Sequence, residues 1–88
     1  MNVRDWCAEI DEEIILADGF EDAFVGVAER CGMGPVAVYD REKCIEAIMK
    51  QQAKHNVSYE EAAEHFDFNV IGAYVGERTP MFITRKHD

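Results

Sequence analysis

The chain has 88 residues, 48% of them apolar and 31% charged, and a net charge of −9 at pH 7. That length holds one domain, residues 1–88, with a thin core, and the composition excludes collagen-like, low-complexity and fully disordered classes. No apolar run approaches the ~20 residues of a bilayer span, so no transmembrane helix is expected.

At the N-terminus Val3, Cys7, Ile10 and Ile14 recur at helical spacing, which predicts a helix within residues 1–10. The opening residues have no apolar h-region, and no signal peptide is expected. Cys7, Cys31 and Cys44 are odd in number and form no C-x-x-C pair, which points to free thiols in a reducing compartment. Ile14-Ile15-Leu16 reads as a short buried strand, although helix and strand both remain open over 9–17. Asp18-Gly19 signals a turn.

Residues 23–28 (Ala-Phe-Val-Gly-Val-Ala) are rich in β-formers and predict a second strand. Cys31-Gly32-Met33-Gly34-Pro35 reads as a loop, and Val36-Ala37-Val38-Tyr39 as a third strand of an antiparallel meander. Asp40 is placed to cap a helix whose apolar face is Cys44, Ile45, Ile48 and Met49. Ser58-Tyr59-Glu60-Glu61 is a capping box that opens a second helix, with Ala62, Ala63 and Phe66 inward. Residues 70–75 predict a strand, residues 76–80 a turn, Met81-Phe82-Ile83 a last short strand, and residues 84–88 a fraying tail. The expected class is α+β: three to four antiparallel strands with two consecutive helices on one face. The expected core is Ile14, Leu16, Phe24, Val27, Val36, Val38, Ile45, Ile48, Phe66, Val70, Ala73 and Phe82.

Four stretches carry a resemblance. They are Asp18-Gly19-Phe20-Glu21-Asp22-Ala23-Phe24, Ala37-Val38-Tyr39-Asp40, Lys43-Cys44-Ile45-Glu46 and residues 68–80. Over residues 18–83 the chain resembles a group of short uncharacterised proteins encoded by tailed bacteriophages and prophages. The resemblance implies a protein made in the cytoplasm of an infected bacterium. It implies no activity, cofactor or catalytic residue.

Charge is the most informative remaining feature. Residues 5–29 hold nine acids (Asp5, Glu9, Asp11, Glu12, Glu13, Asp18, Glu21, Asp22 and Glu29) and no Lys or Arg. Residues 30–88 are nearly neutral, with nine acids against eight bases. An acidic surface repels phosphate backbones and anionic lipid, and attracts a basic protein groove or a divalent cation. Its plain reading is a solvated face that keeps the chain soluble.

Other constellations are thinner. Cys31, Cys44, His55 and His65 have the ligand types of a zinc site but no closely spaced pair. Asp11, Glu13, Asp18, Glu21 and Asp22 offer oxygens for calcium or magnesium without EF-hand spacing. Cys31 beside Arg30 has the chemistry of a thiol nucleophile but no local base. Gly32-Met33-Gly34 lacks the Lys-Ser/Thr of a phosphate loop. Trp6, Phe20, Tyr59 and Tyr74 lie near segment edges, where aromatics serve either rim packing or contact with a partner.

No reaction is named by these residues. The reading they support is a non-enzymatic accessory protein that binds a host or phage protein through an acidic face of Glu12, Glu13, Asp18, Glu21 and Asp22. The alternatives are an acidic inhibitor seated in a nucleic-acid-binding groove, and a small metal- or thiol-dependent enzyme. A protein partner is expected, with a homodimer as a further option. No cofactor, direct nucleic-acid contact or membrane contact is expected.

Overall fold

Residues 2–73 and 75–86 are described in a computed structural model of the chain. Helix α1 (Val3–Ile10) opens the chain. An irregular stretch and a single 3-10 turn (Glu21–Ala23) follow, then strands β1 (Phe24–Arg30) and β2 (Met33–Asp40). Helices α2 (Arg41–Gln51) and α3 (Tyr59–His65) come next, and strand β3 (Met81–Ile83) closes the fold. The architecture is α+β, with three helices and one three-stranded sheet in the order β1-β2-β3.

The sheet is mixed, which corrects the antiparallel expectation. β1 and β2 form a hairpin, but β3 runs parallel to β2, with Val38, Tyr39 and Asp40 opposite Met81, Phe82 and Ile83. The cause is the connection: α2 and α3 lie between β2 and β3, and a helical crossover returns the chain in the original direction. The expected loop over 31–35 shrinks to a turn at Cys31 and Gly32, with Gly32 at φ 81°, where a Cβ would be strained. Pro35 therefore lies within β2, beyond the end of its pairing with β3. A register shift at Val25 marks a bulge on β1, which is an edge strand.

Two expected strands are absent. Ile14-Ile15-Leu16 forms neither strand nor helix; Ile14, Leu16 and Ala17 pack on the core, and the Ala17 N–H donates to the Tyr39 hydroxyl at 2.8 Å instead of to a strand partner. Residues 70–71 belong to a π-helical continuation of α3 (Phe66–Ile71), and residues 72–73 and 75 follow without strand pairing. A helix already nucleated by its capping box propagates more readily than a short β-branched run breaks it. Tyr74 falls outside the described residues, as do His87 and Asp88 of the tail.

The helix starts match the local chemistry. The Asp40 carboxylate accepts from the Lys43 N–H at 3.1 Å, and it also takes an ion pair from Arg85 at 2.9 Å. Ser58 Oγ accepts from the Glu61 N–H at 3.2 Å while Glu61 reaches back to the Ser58 N–H at 3.4 Å. The Tyr59 hydroxyl donates to Glu42 at 2.8 Å, which ties α3 to α2 and pushes the phenol above its ordinary pKa.

Five aromatic rings run in series through the molecule. Trp6 meets Phe24 edge-on at 6.1 Å, Phe24 meets Tyr39 at 5.6 Å, Tyr39 meets Phe82 at 5.9 Å, and Phe82 meets Phe66 at 5.0 Å. The Arg41 guanidinium caps the series over Phe66 at 5.0 Å. Around it are buried Ala23, Ala37, Cys44, Ile45, Ile48 and Ala62. Ile14, Leu16, Phe24, Val70 and Phe82 are only half-buried against this core, and Ala73 is exposed, against expectation. The missing strand explains Ala73: without alternation, nothing turns it inward. No helix among the described residues is long and apolar enough to cross a membrane.

Candidate binding face

The acid-rich third begins at α1. Asn2 caps it by accepting from the Asp5 N–H at 2.8 Å, and the Asp5 charge suits the positive end of the helix. Asp5 and Glu9 lie four residues apart on one exposed side. At the end of α1, Asp11 Oδ1 accepts from the Glu13 N–H at 2.8 Å. This bond, aided by the Arg78 guanidinium, holds the Asp11 carboxyl below its ordinary pKa.

Arg78 binds this segment from 65 residues away. Its Nη2 donates to Asp11 at 3.3 Å and to Glu13 at 3.1 Å, and its Nη1 donates to the Pro35 carbonyl at 3.2 Å. One side chain thus joins the chain after α1, strand β2 and the turn before β3. Glu12 beside it is exposed.

The other three acids gather elsewhere. Asp18, Glu21 and Asp22 border a cavity of about 480 Å³ between the start of α1 and Tyr39. Gly19, at φ 92°, lets the chain turn there, and its carbonyl accepts from Gln51 of α2 at 3.0 Å. Asp18 pairs with Arg4 at 3.3 Å, with both side chains largely in water, so the pair contributes roughly 0–1 kcal/mol. Hydrogen bonds from its own N–H and from the Gly19 N–H hold the Glu21 carboxyl below its ordinary pKa.

All five expected binding residues, Glu12, Glu13, Asp18, Glu21 and Asp22, are therefore exposed. They form two groups, not one cluster. Glu13 is held by Arg78, whereas Asp18, Glu21 and Asp22 line the cavity beside α1, with residues 14–17 between the two groups.

The remaining constellations do not assemble. Cys31 is exposed at the hairpin tip, Cys44 is fully buried in α2, His55 sits in a 3-10 turn (Ala53–His55), and His65 contacts Asn69. Among the described residues, no three His, Cys, Asp or Glu side chains come together to hold a metal ion. The Arg30 guanidinium reaches the Met33 sulfur at 2.7 Å.

The chain matches no protein-family model, no curated protein and no solved structure. The site is thus defined by its own geometry.

Of the apolar part of this face, the sequence offers Trp6 as an edge aromatic but does not point to Ile10 or Val25. Trp6, Ile10 and Val25 are exposed large hydrophobic residues. Trp6 and Val25 share a shallow groove with Asn2, Val3 and Phe24. The bulge at Val25 has one sequence signal, the isolated Gly26 inside the strand. Ile10 was readable only as a core-facing member of the helical stripe.

Proposed function

We propose that the chain is an accessory protein that binds another protein by presenting its acidic N-terminal third to a basic surface. Its setting is the phage or prophage one that the sequence resembles. One observation carries the reading: of the nine acids over residues 5–29, six (Asp5, Glu9, Glu12, Glu21, Asp22 and Glu29) form no ion pair with any described Lys or Arg. Uncompensated carboxylates at an exposed surface create a field that steers cationic partners and falls off with salt. Asp11 and Glu13, held by Arg78, serve the fold, and Asp18 pairs with Arg4 at the surface.

The test is capture from bacterial lysate by the immobilised chain, followed by titration of the purified captured protein at low and high salt. Affinity that falls with salt, and falls further when Glu12, Glu21 and Asp22 are changed to Gln or Asn, supports the reading. Capture indifferent to salt and to these changes, or no capture, overturns it.

A further inference from the structure

The outer side of α1 carries two parallel rows. Trp6 and Ile10 are one turn apart and form an apolar row; Asp5 and Glu9, each one residue earlier, form an acidic row beside it. About two-fifths of Trp6, Ile10 and Val25 is open to water. Between Trp6 and Val25 runs a groove of about 290 Å³, walled by α1 on one side and the edge strand β1 on the other. The groove is shallow and open, a surface against which an aliphatic side chain of a partner can lie.

We infer that the Trp6–Ile10 row and Val25 dock a basic amphipathic helix of a partner protein. The inference rests on the acidic-face reading above and names the place and the partner's chemistry. Charge selects the occupant. A two-fold contact of this chain through α1 would set Asp5 and Glu9 against the same acidic row of the copy. A helix with an apolar row flanked by Lys or Arg matches both rows at once, in the helix-in-groove mode. Trp is among the residue types enriched where binding energy concentrates.

Trp6 is the chain's sole tryptophan, so its fluorescence reports on this site alone. The probe is a synthetic Leu/Lys peptide with Leu on one helical face and Lys on the other, compared with a scramble of identical composition that has no apolar face. The expected result is a blue shift of Trp6 with the amphipathic peptide and binding about tenfold tighter than the scramble. Ile10→Ser, Val25→Ser, and Asp5→Asn with Glu9→Gln each remove most of that advantage, measured by calorimetry on variants whose circular dichroism is unchanged. If both peptides bind equally and Trp6 does not respond, the docking inference is overturned while the acidic-face reading stands. If neither binds at low salt, both fall. If sedimentation shows a dimer that Ile10→Ser dissolves, the occupant is a second copy and the inference is overturned.

Discussion

The Arg78 guanidinium lies over Gly34, in the space that a Cβ at Gly34 would fill. The same guanidinium holds the Pro35 carbonyl, Asp11 and Glu13. Glycine at 34 is therefore the condition for a three-way clamp. In Gly34→Ala the flexible arginine swings away and the clamp is lost, so the cost is the clamp's hydrogen bonds more than a backbone clash. Both Gly34→Ala and Arg78→Ala should lose about 1–3 kcal/mol in urea unfolding. The double variant should be less destabilised than the sum by about 1 kcal/mol, since each change removes the same contacts. Additive losses would separate the two residues.

Acid should loosen the same clamp. The Asp11 pKa is depressed in the folded chain, first by the Glu13 N–H and then by Arg78. Below about pH 4 the unfolded chain binds more protons than the folded one, so stability falls as pH drops. Asp11→Asn keeps an acceptor for Glu13 but not the charge. Its deficit against the wild type should be full at pH 7 and shrink as pH falls below about 4, read from urea midpoints.

Much of this fold was legible locally. Asp40 and Ser58 announced their helices because a cap is a short-range pattern: side-chain oxygen, spacing of three, then apolar periodicity. The hairpin strands showed as β-branched runs. What stayed hidden depends on distant partners. Ile14-Ile15-Leu16 reads as a strand within a stretch open to either form, yet the N–H of Ala17 just beyond it is taken by a tyrosine hydroxyl 22 residues on. Residues 70–75 are an apolar run that reads as a strand, yet 70–71 continue a helix started at Ser58. For the face, exposure of the acids was legible from composition, but the tie of Asp11 and Glu13 to Arg78 and the cavity bordered by Asp18, Glu21 and Asp22 depend on distant partners that no local pattern connects.

The two caps should differ in cost. Ser58→Ala removes one capping interaction at an exposed site, about 1 kcal/mol. Asp40 is buried, caps α2 and pairs with Arg85, so Asp40→Ala also leaves that arginine without its carboxylate and should cost more. Asp40→Asn keeps a capping oxygen and should fall between the two. Thermal unfolding of the three variants checks the order.

Thiol chemistry should divide the cysteines by burial. Cys31 is exposed, whereas Cys7 and Cys44 are buried, and burial pushes the Cys44 thiol up to about 12. An aromatic disulfide reagent should titrate one thiol rapidly in the native chain and all three in urea. Because the folded Cys44 keeps its proton longer than the unfolded one, its contribution to stability is whole below about pH 9 and is lost as pH rises toward 12. Burial of the Tyr39 hydroxyl acts in the same direction above about pH 10. Cys44→Ala should show a shallower loss of stability between about pH 9 and 11 than the wild type.

Amide shifts recorded by NMR during titration with the Leu/Lys helix test the account where it is most exposed. Large shifts confined to α1 and the start of β1, centred on Trp6, Ile10 and Val25 and weakened by salt, are the predicted map. Shifts centred on the π-helical turn around Phe68, or spread evenly over the chain, would contradict it.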